Sequence, residues 1–263
     1  MVMLVELADV TRVWAVGAVF GEAERLRLLH QALAERLQAG DKLIYLGNYL
    51  GHGPAIVATV DEVLQFQHRV TAEGPLAAGD VVHLRGAQEE MWAKLLQIQW
   101  AMQPDETFRW MMANGADATL RAYGGEAASA TSKFRAGVLV TARWTTELRE
   151  KFQAHQGHDP FLHRLASAAA AGPQGLLFVS AGLDPKRPLA KQNDRFWWGS
   201  SAFAEIDSPY EGYRLVVRGY DRERKGVVFG DFAASIDGGC GFGGTLAAVC
   251  FAADGEVLDR IEV

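Results

Sequence analysis

The apolar positions of the first 90 residues alternate between two patterns. Short apolar runs at 13–16, 43–46 and 81–84 predict three buried strands, each followed by a glycine within two residues. Leucines at helical spacing predict a helix over 22–38, and a second amphipathic pattern predicts a helix over 56–70. Because strands that alternate with helices are usually joined by right-handed crossovers, this order favours parallel strands in a layered α/β fold.

The apolar pattern changes after the third predicted strand. From about residue 91 to 163 the spacing is helical, which predicts a helical insertion that lies as a cap over the sheet. Within it, a glycine pair followed by small residues at 124–130 predicts a flexible connection. Short apolar runs then return and predict a second, more antiparallel sheet. They lie at 176–179, 214–217, 227–229, 233–236, 246–251 and 257–261.

Composition and charge narrow the class of protein. The 263 residues are 49% hydrophobic and 22% charged, which is typical of a single large globular domain over 1–263. The net charge is −6 and the basic residues form no block, which argues against a nucleic-acid or membrane-surface partner. No apolar run approaches the roughly 20 residues that cross a bilayer, and the first residues lack a signal-peptide pattern. We therefore expect a cytoplasmic protein in which Cys240 and Cys250 are reduced core thiols.

Candidate functional residues stand at the ends of the predicted strands, where α/β proteins usually carry their active sites. The segments at these ends are 17–21, 47–54, 85–89, 179–182 and 217–220. In order and spacing they are similar to the motifs G-D-x-H-G, G-D-x-x-D-R-G, G-N-H-E, H-A-G and G-H-T. The chain thus resembles the calcineurin-like metallophosphoesterases, especially the bacterial serine/threonine protein phosphatases, over nearly its whole length.

The resemblance implies a fold and a chemistry. The fold is a four-layer α/β/β/α sandwich of two mixed sheets, with a helical cap inserted at about 91–163. In that family two divalent cations polarise a phosphoryl group and activate a bridging water for attack. Such hard cations need carboxylates, imidazoles and an amide oxygen on fixed loops.

The six metal-ligand positions that the resemblance assigns carry side chains of different chemistry in this chain. None offers a carboxylate or an imidazole, and only Asn48, Ser180 and Tyr220 keep a side-chain oxygen. Two doubly charged ions without an anionic ligand would repel each other uncompensated, so we expect neither a metal nor another cofactor. In chain order the six positions are Ala18, Phe20, Asn48, Ala87, Ser180 and Tyr220.

The catalytic-acid and phosphate-clamp positions are changed as well. The resemblance assigns Gln88 to the acid, Gly51 to the aspartate that orients it, and His52 and Ser200 to the two clamping arginines. We therefore interpret the chain as a degenerate enzyme of the family, a pseudophosphatase. Its expected role is that of a regulatory or scaffolding protein that binds a protein partner.

Two alternatives to the pseudophosphatase interpretation remain open. In the first, the vestigial cleft binds a phosphorylated or other anionic small ligand through His52, Arg85 and Arg218, helped by Tyr220 and Asn48. In the second, a residual metal-dependent phosphoesterase activity persists despite the substitutions. Fold alone does not choose among these functions.

Several histidines allow both a structural and a functional interpretation. We expect His30 and His68 to be exposed on helices and His83 to be packed within a strand. Three others lie close together and form either a zinc site or, as the resemblance implies, the start of a structural helix. These are His155, His158 and His163.

Three further groups of residues have competing interpretations. Asp41, Asp61 and Asp80 are expected to be solvated surface acids rather than displaced metal ligands. The aromatic segment 196–203 is expected to pack under the former active site, with ligand stacking as the alternative. The basic run 218–225 forms either a solvated hairpin or a wall of the cleft that binds an anion.

Overall fold

The computed structural model describes residues 3–172 and 175–263, and its elements are numbered here in chain order. The strands are β1 (Leu4–Leu7), β2 (Arg12–Val16), β3 (Lys42–Tyr45), β4 (Val81–His83), β5 (Ala168–Ala171), β6 (Leu176–Val179), β7 (Leu215–Arg218), β8 (Val228–Phe229), β9 (Ala233–Ser235), β10 (Ala247–Ala252) and β11 (Val257–Glu262). The α-helices are α1 (Ala23–Ala34), α2 (Ile56–Ala72), α3 (Ala87–Leu95), α4 (Pro104–Met111), α5 (Asp117–Ala122), α6 (Ala127–Arg135), α7 (Val138–Gln153), α8 (His158–His163) and α9 (Arg195–Trp198).

The strands form two mixed sheets. The five-stranded sheet has the order β11-β10-β2-β3-β4, in which β2, β3 and β4 are parallel as predicted. The six-stranded sheet has the order β1-β5-β6-β7-β9-β8, with three parallel and two antiparallel pairs. The prediction of a more antiparallel second sheet is therefore wrong, because β10 and β11 pair antiparallel with the first sheet instead.

Side-chain alternation along the strands builds the layers. On β2, Val13 and Ala15 pack between the sheets, while Trp14 and Val16 face α1, α2 and the cap helices. The outer face of the six-stranded sheet is covered by residues 183–213, which include α9 and short 3-10 turns. The predicted sandwich of two mixed sheets is confirmed, although this outer layer is largely irregular rather than helical.

Every regular element between β4 and β5 is helical. The connection predicted at 124–130 holds only for 124–126 and is wrong for 127–130, because α6 begins directly after Glu126 and its alanines favour a helix. A π-type turn at Met112–Ala116 interrupts the helices and places Gly115 at φ +102°. Among the helices that the structure describes, none is long and apolar enough to cross a membrane.

Two residues that the sequence placed at the surface are buried. His30 is 1% exposed, because it lies on the same inner face of α1 as Leu26; it contacts Glu62 Oε1 through Nδ1 at 2.7 Å. Asp41 is 3% exposed and accepts from Arg12 Nη2, an ion pair that the sequence pattern does not reveal. Both expectations of a solvated position were wrong for the same reason. A distant partner compensates for the cost of burying each group.

The exposures of two other acids and two other histidines lie closer to those expected from the sequence. Asp80 is only partly exposed because it pairs with Lys42 at 2.5 Å, whereas Asp61 is about half exposed and contacts the ring of His158. His68 is exposed, as predicted. His83 is packed in β4, with its ring stacked on Tyr45 at 4.9 Å.

The enclosed ring of His83 makes stability depend on pH. Its Nε2 atom has no hydrogen-bond partner among the described residues, and Phe161 packs edge-on against the ring at 5.2 Å. Burial, with a smaller contribution from His30, lowers the pKa of His83 to about 3. The unfolded chain therefore takes up a proton near the usual pKa of about 6.5 that the folded chain does not accept there.

We expect the free energy of unfolding to fall as the pH is lowered from about 7 to about 5, because protonation favours the unfolded chain. In His83→Phe the slope should flatten by up to about 1.4 kcal/mol per pH unit, since one titrating group is removed while a flat ring is kept. Urea unfolding at several pH values measures this slope. His68→Gln, altered at an exposed position, is the control for the loss of a histidine as such, and a slope in His83→Phe as steep as in the parent would contradict the assignment.

Candidate functional site

The loops that follow the parallel strands of both sheets meet at one edge of the sandwich. Ala18 N donates to Gly219 O at 3.0 Å, which joins the loop after β2 to the loop after β7. Phe20 N donates to Asn48 O at 2.7 Å, and Gly219 N donates to Ser180 O at 3.0 Å. These backbone bonds bring the sequence-predicted strand ends into one site.

The strand-end loops, the cap and α9 together enclose a cleft of about 340 Å³. Three groups of side chains account for most of its lining. They are the buried floor (Phe20, Asn48, Gln88), the tryptophan wall (Trp110, Trp197, Trp198) and the arginine pair (Arg222, Arg224). The positions Ala87, His52 and Tyr220 also line the cleft, whereas Ala18 and Ser180 lie buried behind it.

The Glu89 carboxylate holds the loop after β3 in place. Glu89 is 2% exposed, and burial raises its pKa while its backbone donors oppose that shift. Sequence reasoning missed this role, although a Glu three residues after the helix-capping position is a known signal. The four N–H groups that donate to it are those of Asn48 (2.9 Å), Tyr49 (2.8 Å), Leu50 (3.0 Å) and Gly86 (2.8 Å).

An aromatic cluster stands at the expected metal position. The Phe20 ring, 1% exposed, packs edge-on against His52, Tyr220 and Phe242, each with centroids 5.3 Å apart. Phe20 adopts φ +51°, a left-handed conformation that costs roughly 1–2 kcal/mol outside glycine. A Cβ on Gly241 would lie 2.4 Å from Phe20 Cβ, so the glycine lets the ring approach. We call these four rings the aromatic plug.

Two amide side chains complete the floor. Asn48 Oδ1 accepts from Gln88 N at 3.1 Å, while Asn48 Nδ2 is buried and has no partner in the described chain. Gln88 Nε2 donates to Asn114 O at 2.9 Å. A Cβ on Gly51 would lie 2.2 Å from Gln88 Oε1, so Gln88 fills the space of a side chain at 51. The structure thus brings together Gln88 and Gly51, which the resemblance assigns to the catalytic acid and to the aspartate that orients it.

No model of a known protein family matches the chain, and no curated protein matches it. Solved structures do match over 100% of this chain. A proposed diadenosine tetraphosphatase superposes with a TM-score of 0.57 at 17% identity, over 98% of its own length. A protein-tyrosine phosphatase from a psychrophilic Shewanella gives 0.55 at 15% identity over 82% of its length. A serine/threonine phosphatase from Saccharomyces cerevisiae gives 0.52 at 13% over 84%.

The fold is that of the calcineurin-like metallophosphoesterases. At identities of 13–17% the likeness establishes the fold alone. The fold expected from the sequence motifs is thereby confirmed.

The residues at the positions that the sequence resemblance assigns to metal ligands do not suit a pair of divalent cations. Asn48 Oδ1 is already hydrogen-bonded, and the rings of Phe20 and Tyr220 pack against each other in the plug. The buried carboxylate of Asp237 accepts from two backbone N–H groups, and Glu89 is equally engaged. Across residues 3–172 and 175–263, no three His, Cys, Asp or Glu side chains are grouped to hold an ion.

The structure separates the residues proposed for anion binding. Arg218 does not line the cleft: it follows Val217, which faces the other sheet, so its own side chain lies on the outer face. There it pairs with Asp221 at 2.8 Å and stacks over Phe203 at 4.5 Å. The expectation that Arg218 binds an anion with His52 was therefore wrong.

Arg85, which was also proposed for anion binding, and the clamp position Ser200 do not line the cleft either. Arg85 pairs with Glu90 at 3.0 Å and lines a separate cavity beside α3 and α7, so it too is parted from His52. Ser200 caps a 3-10 turn, its Oγ accepting from Ala202 N at 3.2 Å.

The cations of the cleft come instead from the arginine pair. Both side chains are exposed, and Arg224 Cζ lies 4.3 Å above the Phe242 ring. The acids beside them are engaged elsewhere, because Asp221 pairs with Arg218 and Glu223 pairs with Lys225. Burial and the charge of Arg224 lower the pKa of His52, so His52 is neutral at pH 7 and adds no charge.

The histidine group at 155–163 has a structural role. His158 is fully buried, and its two ring nitrogens contact Tyr123 Oη at 2.8 Å and Asp61 Oδ1 at 3.0 Å. This arrangement fits the structural helix start rather than a zinc site, and His163 is exposed.

In the aromatic segment 196–203, the two phenylalanines are buried beneath the six-stranded sheet while both tryptophans line the cleft.

Removal of the Glu89 carboxylate should destabilise the whole site. We expect Glu89→Ala to lower the free energy of unfolding by at least about 3 kcal/mol, since four buried N–H groups lose an acceptor at ~1–3 kcal/mol each. Urea unfolding followed by circular dichroism measures the change. The neighbouring Glu90→Ala, which breaks partly exposed ion pairs, should cost about 1 kcal/mol or less. Equal losses in the two variants would refute the assigned role.

Proposed function

We propose that this protein is a catalytically inactive phosphoesterase-fold protein, a pseudophosphatase that acts by binding a partner as a regulatory or scaffolding protein. The observation that carries the proposal is the aromatic plug. Phe20 occupies a position that the sequence resemblance assigns to a metal ligand, is 1% exposed and packs against three other rings. A buried aromatic side chain offers no donor to a hard cation and occupies the space that the cation would need.

The chemistry of the other positions supports the same proposal. Two-metal hydrolysis needs anionic ligands to bring two doubly charged ions together and to lower the pKa of a bridging water. The cleft lining includes no carboxylate among the described residues, and its three amide side chains are neutral. A metal-dependent activity is therefore disfavoured, because affinity for the ions would be lost before any chemistry begins.

The composition of the cleft mouth supports a binding role. Trp110 is 49% exposed and packs edge-on to Trp198 at 5.6 Å, and the arginine pair lines the same cleft. Tryptophan and arginine are the residue types most enriched where protein interfaces concentrate their binding energy. Because Cys240 and Cys250 are buried free thiols, we further propose that the protein acts in the reducing cytoplasm.

Metal content and hydrolysis test the absence of catalysis. Protein purified with added manganese and then dialysed should contain no stoichiometric metal by mass spectrometry. Hydrolysis of 4-nitrophenyl phosphate should not exceed the buffer background with manganese, magnesium or zinc, since the site lacks ligands for the ions. Two tightly bound ions per chain would overturn the proposal.

The variant Asn48→Ala separates true activity from contamination. A trace activity that is unchanged in this variant comes from another protein, because Asn48 lies in the floor of the cleft. An activity that this variant abolishes, while Asn193→Ala at an exposed turn outside the cleft lining keeps it, would contradict the inactive assignment.

A further inference from the structure

The cleft differs in charge from the rest of the molecule. The chain carries a net charge of −6, yet the described residues that line the cleft include two arginines and no acid. The acids of the same loop are paired with Arg218 and Lys225. A cleft of one sign with low-dielectric walls concentrates its potential on a ligand of the opposite sign.

The buried floor adds a donor directed to the same ligand type. Asn48 is fully buried, its Oδ1 already accepts from Gln88 N, and its Nδ2 has no partner in the described chain. An unpaired buried donor is unfavourable, and an acceptor on a ligand in the cleft would satisfy it. Trp197 Nε1, on the tryptophan wall, is a second buried donor with no partner among the described residues.

The tryptophan wall determines the shape of the ligand that fits. Three indole rings offer flat apolar surface, with Trp110 and Trp198 held edge-on to each other. The arginine pair presents planar guanidinium groups that suit phosphate or carboxylate oxygens and that stack on rings. The volume of about 340 Å³ is near the lower end for ligand pockets, which suits one flat ring system with its anionic group.

We propose that the mouth of the cleft binds a flat organic anion, with the ring on the tryptophan wall and the phosphate or carboxylate at the arginine pair and Asn48 Nδ2. This inference rests on the proposed function, because it takes the cleft to be a binding site rather than a hydrolytic one. The site uses cations outside the vestigial clamp positions and needs no metal. The ligand is either a free metabolite or the modified side chain of a partner, since both present this chemistry.

Calorimetric titration tests the ligand class with defined probes. Adenosine monophosphate represents a metabolite, phosphotyrosine a protein side chain and 2-naphthoate a carboxylate. At least one should bind saturably, and its counterpart without the anion and inorganic phosphate alone should bind at least roughly tenfold more weakly, since ring and charge both contribute. The tightest probe identifies the source of the ligand. No saturable binding by any probe, or binding of inorganic phosphate as tight as the best probe, overturns the inference.

Matched variants test the residues. The double variant Arg222→Ala with Arg224→Ala should weaken binding at least roughly tenfold, because two charge-assisted contacts are lost. Arg143→Ala with Arg164→Ala removes the same charge from exposed positions outside the cleft and should leave affinity unchanged. Equal affinity of the two double variants overturns the inference.

Asn48→Asp keeps the acceptor for Gln88 N but replaces the free donor by a carboxylate, and it should also weaken binding at least roughly tenfold. Unchanged affinity in this variant removes Asn48 Nδ2 from the site and overturns that part of the inference. Phosphate release measured in the same samples separates the two proposals. Binding with turnover overturns the inactive assignment but supports the ligand class, whereas neither binding nor turnover overturns the ligand class alone.

Discussion

The loop that follows β3 turns back on the start of α3 because a single carboxylate, that of Glu89, accepts four backbone N–H groups. Much of the site depends on this arrangement. Asn48 is held at φ +56° and its carbonyl anchors Phe20 N, which places the aromatic plug. Loops from the strand ends of both sheets therefore meet at one edge of the sandwich.

In this molecule the residues that hold the backbone of the site are not the residues that line the cleft. The groups that hold the backbone, such as Glu89 and Asp237, are buried and hydrogen-bonded to N–H groups, so they set geometry without offering lone pairs to the cleft. The groups that line the cleft are neutral, aromatic or cationic. A cleft with this lining offers positive charge and hydrogen-bond donors rather than the anionic ligands that metal cations require.

Local patterns predicted much of the fold and failed where pairing is non-local. Apolar runs located β2, β3 and β4 and their parallel order, because periodicity and strand–helix alternation encode burial and crossover direction. The pattern did not reveal β5, a run of alanines, because alanine has little strand preference of its own. Nor did it show that β10 and β11 return to the first sheet, since hydrogen-bond partners far apart in the chain leave no local signal.

The sequence by itself determined which side chains occupy the motif positions: Phe20, Asn48 and Gln88 are identities that no folding can change. Only the tertiary structure decided what those side chains contact. It turned Arg218 away from the cleft through strand alternation and put Arg222 and Arg224 in its place. Chemical identity is a property of one residue, whereas charge and binding capacity belong to a set of residues that folding assembles through space.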